Sequence, residues 1–240
     1  MIRGMRELGE EIARLNPDAL VQVSTHWITP FHHYVLGHPR HRGVLTSSEA
    51  PDLICGISYD VPGDAELAAA LVAAGRERDL PVMLSTADHF VLDYGTLNPL
   101  RYLTPAFDVP VVPLSTCLLA DLEECMSWGE AIADAIGRTS RRVALVASGA
   151  LSHVLVRGPE RWPSTPLQRL DERFIGLITQ GKSAELRSFL PGFAKSAQAE
   201  MGGRHLAILI GATGGAFGGR LHAYGPSSGT GNAVLSLRPR

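Results

Sequence analysis

Hydrophobic positions recur along this chain in two alternating rhythms. Ile2, Met5, Leu8, Ile12 and Leu15 stand three or four apart, which predicts a helix, and Asn16-Pro17-Asp18 stops it. The run from Ala19 to Ser24 then reads as a short apolar strand, with His26 at its C-terminal end. Gly63-Asp64 opens a second helix over residues 65–78, with Asp64 as its N-cap. Residues 81–84 and 109–114 are strand candidates. Ser127-Trp128-Gly129-Glu130 has capping-box spacing and predicts a helix to about Arg138. Arg142–Ala147 is the clearest buried strand, and it ends in Ser148-Gly149. Thr165-Pro166 starts a long helix closed by Gly181, and a further helix runs from Ser183 up to Pro191. Residues 211–219 are glycine-dense, Tyr224–Gly231 is turn-rich, and Ala233–Leu237 is a closing strand.

Strands alternating with helices, with no linker between them, predict an α/β fold. We expect a single domain over residues 1–240, built on a central, mainly parallel or mixed β-sheet with helices on both faces. In such sheets ligands collect at the C-terminal ends of strands, where His26 and the Gly149–His153 turn fall.

Composition narrows the function classes. A chain of 240 residues, 45% apolar and 19% charged with a net charge of −2, has an ordinary globular core. It has no basic stripe for nucleic acid and no apolar run long enough to span a membrane. Cys55, Cys117 and Cys125 are an odd set without metal-ligand spacing, which suits buried thiols in a reducing cytoplasm. The glycine clusters at Gly211–Gly215 and Gly229–Gly231 lack the strand–GxGxxG–helix context of a dinucleotide site. Ser152 lacks the second flanking glycine of a nucleophile elbow.

The chemistry-bearing residues are few. His26 beside Trp27 reads as a metal ligand or as a packed bystander. His32 and His33 follow in one loop and suit a polar pocket, whereas His38 and His41 read as solvated. His153, after small residues that close a strand, suits proton transfer near neutral pH, or a core edge. Glu200, ahead of the apolar run Leu206–Ile210, is a metal ligand or a helix-end charge.

Ordered blocks across nearly the whole chain then carry a resemblance. They are Ser24-Thr25-His26-Trp27, Ile57-Ser58-Tyr59-Asp60, Asp93-Tyr94-Gly95-Thr96, the segment Ala147–His153, Leu190-Pro191, Glu200, and Pro226-Ser227-Ser228-Gly229-Thr230-Gly231. The chain resembles the class III extradiol ring-cleavage dioxygenases, in the branch of homoprotocatechuate 2,3-dioxygenase and 2-aminophenol 1,6-dioxygenase. The resemblance implies an Fe(II) enzyme that opens the ring of a catechol or 2-aminophenol with O₂. It implies His26 and Glu200 as iron ligands, His153 as acid/base, Tyr94 facing the substrate, and His32, His33 and Thr230 as substrate contacts. It also implies a homo- or hetero-oligomer.

One departure stands out. Family members begin with a strand that ends in a histidine, and here no histidine precedes His26. Three accounts follow: a later start, His32 or His33 as the third ligand, or a catalytically reduced, metal-poor subunit that pairs with a catalytic homologue. A missing first strand is expected to leave a sheet edge or groove exposed, which a second chain could cover.

Overall fold

The computed structural model describes residues 1–239. Its centre is a five-stranded sheet built from β1 (Ala19–Thr29), β2 (His33–Leu36), β5 (Val82–Ser85), β6 (Val111–Cys117) and β7 (Val143–Ser148), in the order β5-β2-β6-β1-β7. β1 runs parallel to both β6 and β7, and β2 parallel to β5, while β2 and β6 meet antiparallel. Two hairpins lie outside this sheet: β3 (Arg40–Leu45) with β4 (Ile57–Pro62), and β8 (Phe217–Ser227) with β9 (Thr230–Pro239). The mixed, mostly parallel sheet with helices on both faces is the α/β fold that the alternation of patterns predicts.

Successive residues of β1 point to opposite faces, and each face has its own core. Ala19, Val21 and Val23 join a cluster with α2 (Ala65–Arg76), α4 (Leu122–Gly137), α5 (Thr165–Gln180), α6 (Ser183–Ser196) and α7 (Arg204–Ala212). Leu20 joins Leu36, Val111 and the Leu97 and Leu100 side chains of α3 (Tyr94–Leu103) on the other face. The amphipathic helix α1 (Ile2–Leu15) packs against α3 and β8.

Local chemistry sets most boundaries. Asp64 caps α2 by accepting from the Leu67 amide at 2.9 Å, as expected. Gly181 ends α5 in the left-handed region at φ 72°. α4 begins before the expected Ser127, because Asp121 takes the cap and accepts from the Glu124 amide. α6 continues through Pro191 to Ser196, since Leu190 and Phe193 on the same face are both buried. The turn-rich stretch before Gly231 is a hairpin: Ser228 and Gly229 both have positive φ, as a two-residue turn between twisted strands requires. β2, β3, β4 and α3 carry no clear periodic signal and were not foreseen.

Three expectations need correction. His41 is buried and contacts the Val111 carbonyl at 3.0 Å, so it is no solvated histidine. Cys55 is exposed, whereas Cys117 and Cys125 are buried. β7 is not fully buried: each of its residues from Val143 to Ser148 is only half-buried. The cause is its outer edge, which has no strand partner among the described residues and opens on a cavity of about 950 Å³.

Candidate active site

β1 carries the first half of the site. Its register against β6 shifts between Val23 and Ile28, and Thr25 and His26 lie in that irregular stretch. Two neighbouring polar side chains fix the surroundings. Buried Gln22 donates to the Gly95 and Thr96 carbonyls, at 3.0 Å each. Ser24 donates to Asp93 at 2.6 Å, and Asp93 in turn caps α3 through the Thr96 amide. This ties the start of α3 to β1 and lays the Tyr94 ring on the His26 ring, with centroids 4.0 Å apart. A side chain at Gly95 would strike Ser24 Oγ and His26 Cδ2, so only glycine allows this approach.

The second half comes from a kinked turn. Glu200 opens a 3₁₀ turn, Glu200–Gly203, in which Met201, Gly202 and Gly203 all have positive φ. The reversal drives the Glu200 side chain back beneath β1. There it accepts from Thr25 Oγ1 at 2.8 Å and from the Ala150 amide at 2.5 Å, and faces His26 Nε2 at 3.1 Å. Burial works against its charge, yet the hydrogen bonds from His26, the Ala150 amide and Thr25 outweigh it and hold the carboxyl at about 2. For His26, burial disfavours the proton, but Glu200, together with Glu49 and Asp93, more than restores it, so its pKa is raised.

The turn after β7 is held by a buried network. Asp171 on α5 accepts from the Ser152 amide at 3.0 Å, from Ser152 Oγ at 2.7 Å and from the Tyr224 hydroxyl at 2.7 Å. It therefore anchors Ser152, two residues beyond the Ala150 amide that binds Glu200. His205, in the first turn of α7, is fully buried with neither ring nitrogen hydrogen-bonded, and burial lowers its pKa to about 4. Tyr94 donates to Glu49 at 2.6 Å, and burial raises its pKa.

The structure thus brings together His26, Glu200 and Tyr94, which all line the cavity with Thr25 and His205. His153 and Thr230 pair by their backbones beside the site without lining that cavity. The His153 imidazole lies near enough to His205 to disfavour a proton on it. His32 and His33 make their contacts elsewhere. His33 is wholly buried, stacks near Trp128 and contacts Glu124 at 3.1 Å, and His32 lies edge-on to Tyr34. Neither lines the cavity that His26 and Glu200 share. Thr25, the Ala150 amide, Asp171 and His205 escaped the sequence reading. The one available signal was the run of small residues from Ala147 to Ser152, which permits close backbone approach.

Do these residues fit an iron ion? Two donors bound at about 2.1 Å and at right angles on one ion stand about 3 Å apart. His26 Nε2 and Glu200 Oε1 meet that spacing at 3.1 Å. The imidazole and carboxylate are the donor types of a facial triad. No group of three His, Cys, Asp or Glu side chains among the described residues converges as a metal site. The pair fits Fe(II), and the described residues place no third His, Cys, Asp or Glu donor beside it.

The chain is 32% identical to the 2-aminophenol 1,6-dioxygenase beta subunit of a Pseudomonas species, over 93% of this chain and 79% of that protein. It is 25% identical to 3,4-dihydroxyphenylacetate 2,3-dioxygenase of Escherichia coli, over 94% of this chain and 85% of that protein. It is 26% identical to the Pseudomonas 2-aminophenol 1,6-dioxygenase alpha subunit, over 97% of this chain and 88% of that protein. An uncharacterized protein of Escherichia coli K12 shares the fold, with a TM-score of 0.72 at 22% identity over 100% of this chain and 92% of that one. Residues 1–236 match the family model described as the catalytic LigB subunit of aromatic ring-opening dioxygenase, and the chain belongs to that family.

Proposed function

We propose that this protein is an Fe(II)-dependent extradiol dioxygenase that opens the ring of a catechol or 2-aminophenol with O₂. The observation that carries the reading is the His26–Glu200 pair, set 3.1 Å apart at the wall of a large cavity. His26 and Glu200 would hold the iron, with Thr25 and the Ala150 amide fixing the carboxylate. Bound iron supplies the electronic link between an electron-rich ring and O₂. Tyr94 closes one side of the pair and would meet the ring. His153 would take a proton from the substrate hydroxyl and return it as the ring opens.

A second reading has its own support. Because two protein donors converge and not three, the chain would instead serve as a metal-poor subunit beside a catalytic homologue. Alpha and beta subunits both figure among its relatives.

Anaerobic Fe(II) titration followed by oxygen uptake separates the two. The enzyme reading expects one tightly bound iron per chain and uptake with a catechol or 2-aminophenol. Glu200→Gln is expected to cut iron affinity at least 100-fold while circular dichroism stays unchanged, and unchanged iron stoichiometry would remove Glu200 from the site. His153→Phe is expected to keep the iron but slow turnover by ~10²–10⁴-fold, the usual worth of general acid/base catalysis. A folded chain that binds no iron favours the metal-poor subunit.

A further inference from the structure

The loop of the outer hairpin reaches the candidate site. Residues 46–56, between β3 and β4, carry Glu49. Its Oε2 accepts from the Tyr94 hydroxyl at 2.6 Å and lies 4.0 Å from His26 Nδ1. His26 thus stands between two carboxylates, with Glu200 at Nε2 and Glu49 at Nδ1.

Several contacts fix where Glu49 lies. The Tyr59 hydroxyl of β4 accepts from the Leu92 amide at 2.8 Å, two residues before Tyr94. His41 of β3 meets the Val111 carbonyl of β6 at 3.0 Å. The hairpin is therefore tied both to the central sheet and to the start of α3. Within the loop, the Ser47 amide donates to the Ile54 carbonyl at 2.8 Å, and the Ile54 amide to the Ala50 carbonyl at 2.9 Å. The Glu49 amide donates to Ser47 Oγ at 3.3 Å. Ile54 packs on the same apolar cluster as Tyr94. The loop folds back on itself and turns Glu49 toward His26, although 66% of the Glu49 side chain stays exposed.

The chemistry of a metal-bound histidine gives this carboxylate a task. An imidazole that binds a metal through one ring nitrogen keeps its proton on the other. An acceptor for that proton fixes the ring and makes it a stronger ligand. Nε2 faces Glu200, so a metal held by the pair takes Nε2 and leaves the proton on Nδ1. Glu49 is the carboxylate on that side. The same oxygen holds the hydroxyl of Tyr94, whose ring lies on the His26 ring. One side chain therefore acts on both aromatic groups of the site.

We propose that Glu49 is a positioning residue, which accepts the Nδ1 proton of His26 when iron is bound and ties Tyr94 to the same anchor. This rests on the reading of His26 and Glu200 as iron ligands. Such outer partners are worth roughly 10–100-fold in metal affinity, and solvent around Glu49 places it at the lower end.

The test uses the whole chain under argon, loaded with Fe(II) or, as a probe, Co(II). Competition with a chelator measures affinity. Proton NMR of the Co(II) form reports the His26 Nδ1 proton as a shifted, exchangeable resonance. Glu49→Ala is expected to lower Fe(II) affinity roughly tenfold and to broaden that resonance away, with circular dichroism unchanged. Glu49→Gln keeps an acceptor, so it should keep the resonance and lose less affinity. Asp52→Asn removes a charge from the same loop and is expected to change neither. An unchanged resonance in Glu49→Ala would overturn the assignment, and so would an equal loss of affinity in Asp52→Asn. Oxygen uptake separates this from the reading beneath it. Metal binding that depends on Glu49, with no uptake on a catechol or 2-aminophenol, overturns the dioxygenase and keeps the positioning role. Uptake without dependence on Glu49 does the reverse, and a chain that binds neither metal overturns both.

Discussion

β1 has two parallel neighbours, and they differ in one respect. β6 on one side is buried at every position, whereas β7 on the other is half-buried at every position. Both are short and mainly apolar, and both pair with β1 in parallel. The difference lies in what stands beyond them. β6 is followed by β2, while β7 is followed by the cavity. A continuous apolar run is the pattern of a strand covered on both faces and both edges. β7 thus has the composition of a central strand at the position of an edge strand. The candidate active site lies on that incomplete side, at the ends of β1 and β7.

Deleting side-chain volume on each flank is the sharpest way to break this comparison. Leu114 on β6 is fully buried, so Leu114→Ala is expected to cost about 2–5 kcal/mol. Leu145 on β7 is half-buried, and Leu145→Ala should cost about 1 kcal/mol or less, because its surroundings are already open. Urea denaturation measures both. Equal losses would mean that β7 is as enclosed as β6 in solution.

The charges at the site sharpen the comparison through pH. In the metal-free chain the Glu200 carboxyl is lowered from 4.5 to about 2. A group whose folded pKa is depressed contributes stability above its unfolded pKa and loses it as pH falls through the folded value. Glu200 therefore contributes on the order of 3 kcal/mol above pH 4.5, lost between about 4.5 and 2. His26 runs the other way. Its raised pKa contributes stability below 6.5 that is lost as pH rises through the higher folded value. The metal-free chain is expected to be most stable between these limits, and urea midpoints across pH measure it. In Glu200→Gln the acid-side loss should shrink. An unchanged acid limb would show that Glu200 does not carry the pair.

How much of this was legible in the sequence depended on whether a signal was local. The periodic helix α1, the Asp64 cap and the Gly181 stop are local, and they stand as expected. His26 and Glu200 are far apart in sequence, and their pairing became readable only through the family blocks. Thr25 and the Ala150 amide bind Glu200 through contacts that no spacing announces. His33 shows the opposite failure. A histidine in a polar-looking loop suggested a pocket, but β2 turns it into the core against Trp128. β7 lies between the two cases, since its sequence announced burial and the fold withholds it on one side.

The smallest expected effect concerns the turn that presents Glu200. Met201 has φ 49° and lies ahead of two glycines that are also left-handed. A residue with a Cβ pays roughly 1 kcal/mol or more in that region, and glycine pays little. Met201→Gly removes this strain but also loosens the unfolded chain, which offsets part of the gain. The net expectation is a stabilisation of about 1 kcal/mol or less, read as a rise in urea midpoint. The site reading makes a second demand on the same variant. If the turn serves only to reverse the chain, iron affinity will not change. If Met201 helps to hold the Glu200 carboxylate against Thr25 and the Ala150 amide, the added freedom will weaken iron binding even as the fold gains stability. A variant more stable and weaker for iron would show that strain on the open flank is spent on aiming one carboxylate.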